Sequence, residues 1–138
     1  MKPIAYLLQI LRYTWAAPCS AVGLALAALL LIFGGSMRVS DGVLEVALRR
    51  GTRQLRFPIN AITFGHVVLG LNEQVLTHLR PHEFVHVRQY ELWGLLFFVA
   101  YPASSLWQWF VGKSPYWDNH FEVEARRLST APRRTRPV

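Results

Sequence analysis

From Tyr13 to Met37 the chain carries no charged side chain, and Ala21–Phe33 is wholly apolar apart from Gly23. No other feature restricts the fold as much. The run is long enough to cross a hydrocarbon core of ~30 Å, which takes about 20 helical residues. Gly34, Gly35 and Ser36 are small enough for a signal-peptide cleavage site. The long segment ahead of the run and its extent favour instead a retained membrane anchor over residues 1–37. Within it, residues 1–14 read as an apolar lead-in, and Pro18 suits the first turn of the spanning helix.

The remainder of the chain has room for one small domain, residues 38–129, and a basic Pro/Arg-rich tail, 130–138, that reads as disordered. Hydrophobic residues make up 52% of the chain and charged residues 17%, which is apolar for a soluble domain and points again to the lipid bilayer as a partner. The net charge is +7, and only Lys2 and Arg12 precede the uncharged run. Of the thirteen that follow, eight fall in a turn region (Arg49, Arg50, Arg53) and near the end (Arg126, Arg127, Arg133, Arg134, Arg136). A nucleic-acid binder would spread them over one face with aromatics interleaved and a recognition motif, so no nucleic-acid partner is expected. Anionic lipid headgroups suit the pattern better, and the excess favours the cytoplasmic side for the C-terminal part. Cys19 is the single cysteine and lies in the apolar run, which excludes a disulfide framework and argues against a thiol nucleophile.

After Gly34-Gly35 the texture turns to β. Residues 37–70 alternate, carry β-branched side chains, and are punctuated by Asp41-Gly42, Gly51 and Pro58. Two or three short strands are predicted, with Ala61–Leu69 the most apolar. Residues 71–79 read as a turn or short helix, and a helix is predicted to begin near Pro81, which suits a first helical position. Leu92–Gly112 is a second uncharged, aromatic run interrupted by Pro102-Ala103-Ser104-Ser105. A last helix is predicted from near Asn119.

The helix at Pro81 contains the chemistry. Its sequence PHEFVHVRQYE places His82 and His86 four apart, on one helix face, where both imidazoles can reach a single ion. Glu83 is turned by about 100° from His82, near enough to act on a metal-activated water as general base without being a ligand. This is the H-E-x-x-H arrangement. Catalytic zinc takes three protein ligands and leaves a position for water, so one ligand is still required. A metzincin would have Gly and His at positions 89 and 92; this chain has Gln89 and Leu92. Glu91 points about 180° away from His82. His120, Glu122 and Glu124 remain, with His66 and His78 as outsiders. Glu122 and Glu124 lie about 200° apart on a helix, so both cannot face one ion. Asn119 through Glu122 also fits a capping box, in which Glu122 would bend back to a backbone N–H.

Taken together, His82-Glu83-Phe84-Val85-His86 and the later Glu122-Val123-Glu124-Ala125 resemble the gluzincin metallopeptidases, in particular minigluzincins and the integral-membrane CAAX-protease type. The resemblance covers about Ala61–Arg127. It implies one Zn²⁺ held by His82, His86 and Glu122, with Ala125 allowing close helix packing. It also implies that Ala61–Leu69 acts as an edge strand holding an extended substrate. The family's Asp that orients a ligating histidine is Arg126 here, which leaves Asp118 or Asn119 as candidates for that outer role. Tyr90 and Gln89 are candidates for substrate contact, with packing the stronger expectation for both. Tyr116, His120 and Arg126 are candidates for stabilising an oxyanion.

The expectation is therefore an α+β fold. It comprises an N-terminal transmembrane helix, a small, mostly antiparallel sheet with an edge strand, the H-E-x-x-H helix, a hydrophobic helical hairpin over 92–112, and a second ligand-bearing helix. A simple crossing by residues 92–112 would leave the ligands on opposite sides of the bilayer, so a helical hairpin turning at Pro102–Ser105, or a membrane-seated pair of short helices, is predicted. The expected activity is membrane-associated hydrolysis of a peptide or membrane-proximal protein chain. A non-catalytic membrane module with structural zinc is the alternative.

Overall fold

The computed structural model describes residues 2–48 and 60–130. The basic segment around Arg49–Arg53 and the tail from Ala131 lie outside the described residues. The fold is α+β. Helix α1 (Lys2–Ile32) is followed by strands β1 (Ser36–Ser40), β2 (Val43–Ala47), β3 (Ala61–Phe64) and β4 (Val67–Gly70), then helices α2 (Glu73–Trp93), α3 (Phe97–Phe110) and α4 (His120–Thr130). A 3₁₀ turn, Gly94–Leu96, joins α2 to α3.

The sheet is mixed. Its order is β1-β2-β4-β3, with β2 and β4 parallel and the two outer pairings antiparallel. Ala61–Leu69 is thus not one strand but a hairpin turning at Gly65-His66, with β3 at the edge and β4 inside. Alternation along the strands sends Val43, Ala47 and Val68 to one face, where they pack with Leu76 and Val87 of α2. Val46, Val67 and Leu69 face the other way, onto Ala27 of α1. The sheet therefore lies between α1 and α2. A bidentate pair, Arg80 Nε and Nη2 to the buried Glu45 carboxylate at 2.6 and 2.8 Å, pins α2 to β2.

Helix α1 is long and apolar enough to cross a membrane, at about 46 Å for its 31 residues. It is not a separate anchor. Ala16, Cys19, Gly23 and Ala27, at spacings of three and four, form a buried stripe against the rest of the protein. The outward face exposes large apolar residues such as Leu7, Leu11, Leu24 and Leu29. The expected anchor boundary at residue 37 also falls inside β1.

Three prolines expected to mark helix ends lie inside helices instead. Pro18 sits within α1, so the lead-in and the span are one helix. Pro81 sits within α2, which starts eight residues earlier, at Glu73. There Asn72 supplies the N-cap, its side chain accepting from Val75 N–H at 2.8 Å, and Glu73 lies in the first turn. Pro102 is inside α3, and the chain does not reverse at 102–105. It bends at Gly94, whose positive φ of 57° suits glycine and whose N–H reaches Tyr90 O. The expected hydrophobic hairpin is in fact this bend followed by a single 14-residue helix, α3, which is too short to span by itself.

Gly23 is where α1 meets the sheet most closely. A Cβ there would lie 2.7 Å from Val67 Cβ and 2.9 Å from Phe64 Cβ. Gly23→Val should therefore destabilise the protein by about 1–3 kcal/mol through overpacking, whereas Leu24→Val, on the exposed face, should have little effect. Thermal unfolding in detergent distinguishes a docked helix from a free anchor, for which both changes would be neutral.

Candidate metal centre

The α2 cap at Asn72 sets the phase of the helix, and with it the face on which His82, His86 and Gln89 lie. Helix α4 packs against that face. Its own start is fixed by Asn119, fully buried, whose Oδ1 accepts from Phe121 N–H at 2.9 Å while its Nδ2 donates to Tyr101 O and Ser105 Oγ on α3. This anchoring presents Glu122, 4% exposed, to α2.

Three ligand-bearing side chains converge, through two imidazole nitrogens and both carboxylate oxygens of Glu122. His82 Nε2 lies 3.0 Å from Glu122 Oε2, His86 Nε2 lies 3.2 Å from His82 Nε2, and His86 Nε2 lies 3.3 Å from Glu122 Oε1. A tetrahedron with spokes of about 2.0–2.1 Å has edges of about 3.3 Å, so these separations suit one small ion. His82, His86 and Glu122 could hold a metal ion. Glu122 does not bend back to cap its own helix. Both of its oxygens are committed to the cluster, and Tyr101 OH donates to Oε1 at 2.6 Å.

Donor chemistry also fits. Gln89 Nε2 faces two acceptors, Phe121 O at 3.1 Å and the Glu124 carboxylate at 3.0 Å, so its amide orientation is fixed. Gln89 Oε1 then faces His86 Nδ1 at 2.8 Å, which must donate. In the neutral ring this leaves the Nε2 lone pair pointing at the cluster. Burial lowers the His86 pKa, but the Glu122 carboxylate and then Glu83 more than offset it, so the net direction is up. Burial alone would raise Glu122; hydrogen bonds from His82, His86 and Tyr101 instead hold it well below the usual carboxylate range. The Tyr101 hydroxyl is pushed up by burial and by Glu122, and stays a donor.

Glu83 is buried beside the cluster, and Thr63 Oγ1 on β3 donates to its Oε2 at 2.7 Å. Thr63, Gln89 and Tyr101 are thus partners of the site that the sequence does not single out for these roles. Only Gln89 has a visible cue, its place on the histidine face.

The candidates for outer roles lie elsewhere. Asp118 accepts from Ser114 N–H at 2.8 Å in the loop before α4, and every polar group of the Asn119 side chain is used at the α3–α4 junction. Neither orients a histidine. Tyr90 packs on Phe97 in the core, ring centroids 4.3 Å apart. His120 is exposed, with its N–H on Ser104 Oγ and its ring against Phe121. Arg126 lies over the Trp117 ring and donates to Trp117 O, so it does not take the place of the absent Asp. Glu124 serves Gln89, His78 is exposed on α2, and His66 pairs with Glu91 at 3.0 Å. Of the oxyanion candidates, Tyr116 is half-exposed, and its hydroxyl pKa is raised, by partial burial first and then by the Glu122 and Glu83 charges.

No family model matches this chain, and neither curated proteins nor solved structures yield a match.

The geometry is open to two measurements. Gln89→Leu should lower metal affinity by ~10–100-fold, the usual value of an outer-shell partner, while the protein remains folded; competition with a chromophoric chelator gives the number. The pH dependence has a definite sign. In metal-free protein the raised His86 contributes stability that is present below the ordinary imidazole pKa of about 6.5 and is lost as pH rises through the folded value. Metal binding runs the other way, because the proton must leave. Affinity should fall with decreasing pH from above 6.5, with proton release visible by calorimetry in buffers of different ionisation enthalpy.

Proposed function

We propose that this protein is a membrane-associated zinc metallopeptidase of gluzincin type, with His82, His86 and Glu122 as ligands and Glu83 as general base. The observation that supports it most is the cluster's composition. Among the described residues it comprises three ligand side chains within reach of one ion, with a carboxylate alongside that is not one of them. Three protein ligands with an open position are the pattern of catalytic zinc, whereas structural sites are closed by four. Zinc bound there would lower the pKa of a water and polarise a carbonyl.

The chain's own residues supply the rest. Thr63 orients Glu83, which takes up a proton at its carboxylate and passes it to the leaving amine nitrogen. Tyr101 fixes Glu122, and Gln89 fixes the His86 ring. Tyr116 is our candidate donor to a developing oxyanion. The substrate is a peptide or membrane-proximal chain, bound along β3. The Asn60–Leu71 hydrogen bond (3.1 Å) sets the ladder alternation, so Ala61 and Thr63 turn their backbone N–H and C=O to the open edge. An extended peptide can add there as a further strand, one side chain away from Glu83. The body of the enzyme is assigned to the cytoplasmic side on the excess of basic residues.

A second reading, a non-catalytic membrane module with structural zinc, draws on Arg126 standing where gluzincins have Asp. Glu83→Gln separates the two. In the peptidase it should leave metal content and folding nearly intact and reduce cleavage of a peptide library by ~10²–10⁴-fold. Equal cleavage by wild type and variant, or no cleavage by either in detergent and in bilayers, favours the structural module. Loss of metal in the variant would mean that Glu83 is a ligand.

A further inference from the structure

Helix α2 has a second polar face. Phe84, Val87, Arg88 and Glu91 lie opposite the metal-centre residues and, with Arg12 and His66, line a cleft of about 780 Å³ between α2 and the first turns of α1. Its cations are uncommitted: among the described residues neither Arg12 nor Arg88 makes an ion pair within 4.0 Å. Glu91 is already engaged by His66 Nε2 at 3.0 Å. His66 is only 6% exposed, and its Nδ1 is a buried atom without a hydrogen-bond partner among the described residues. One wall is rigid, because Tyr13 stacks on the His66 ring at 3.9 Å and donates to Gly42 O at 2.7 Å.

Position selects the ligand. Arg12 immediately precedes the uncharged run of α1, where an embedded helix meets the headgroup layer. Phe84 and Val87 give the cleft an apolar floor. Two free guanidiniums beside an apolar floor at that depth match a phosphate ester carrying acyl chains. Asp41, exposed in the β1–β2 turn and lining the same cleft, offers an acceptor to a headgroup hydroxyl. We propose that this cleft binds the phosphate of an anionic glycerophospholipid through Arg12 and Arg88. The site is separate from the metal centre, and the proposal does not depend on peptidase activity.

The test uses full-length protein in neutral detergent and native mass spectrometry, with phosphatidylglycerol, phosphatidylcholine or soluble glycerol 3-phosphate added in turn. Wild type should retain one phosphatidylglycerol and discriminate against phosphatidylcholine. Arg12→Gln/Arg88→Gln should weaken that binding about 30-fold, the effect of two cations at about fivefold each. Lys113→Gln/Arg127→Gln removes the same charge elsewhere and should change little. Both arginines are exposed, so the variant should fold, and circular dichroism checks this. If glycerol 3-phosphate displaces the lipid at equal concentration, the ligand is a soluble phosphate and the lipid assignment fails. Equal loss in both double variants reduces the effect to net charge and overturns the cleft.

Discussion

The carboxylate of Glu122 is the point on which three helices converge. It comes from α4, is bonded by Tyr101 of α3, and faces His82 and His86 of α2. Burying a carboxylate costs several kcal/mol unless it is paired and hydrogen-bonded. No single helix here offers enough partners. The docking of α3 and α4 onto α2 is therefore tied to the state of this one group, and a proton or a cation in the cluster is also a term in the folding free energy. The contact explains why the chain bends at Gly94 and returns through Asn119. Both devices bring Glu122 to the histidines with only the 14-residue helix α3 between them.

How much of this is legible in the sequence depends on the range of each signal. The histidine pair is legible because a helix places residues four apart on one face whatever surrounds it. Glu122 is legible only through its resemblance to a known pattern; taken by itself, Asn119–Glu122 reads equally as a helix cap. In the structure Asn119 does cap α4, through Phe121 N–H, but without Glu122. Thr63 and Tyr101 lie 20 and 21 residues from the groups they bond, on other elements, and nothing local distinguishes them from ordinary strand and helix residues. Gln89 stands on the correct face, yet its role needs the tertiary contacts with Phe121 and Glu124 that fix its amide.

The prolines illustrate the opposite error. At Pro18, Pro81 and Pro102 the local preference for helix starts and breaks suggests a boundary, yet each helix continues through. An interior proline forfeits one backbone hydrogen bond and costs ~3 kcal/mol or more in an isolated helix. Here that cost is met by packing: α1 through its small-residue stripe, α2 through the Arg80–Glu45 pair and the sheet. The missing N–H at Pro81 also leaves Thr77 O without its helical donor, one turn before His82. Tertiary contact, not propensity, decides where these helices end.

The sheet's place between two helices ties the metal face to the membrane question. Val46, Val67 and Leu69 cannot be left exposed, and the element that covers them is α1, through Ala27 and the close approach at Gly23. An apolar helix that only anchored the chain would have no reason to carry a stripe of small residues matched to a sheet. Conversely, a helix that only covered a sheet would not keep Leu24, Leu29 and Ile32 exposed on its outer side. Both properties meet in one helix: an exposed apolar face on one side of α1, the sheet on the other, and Glu83 one layer further, bonded by Thr63. Strand β3, at the edge of the described sheet, thus lies between the apolar helix and the carboxylate beside the metal cluster. The same packing that completes the core therefore also holds the metal cluster in a fixed place relative to the exposed apolar face of α1.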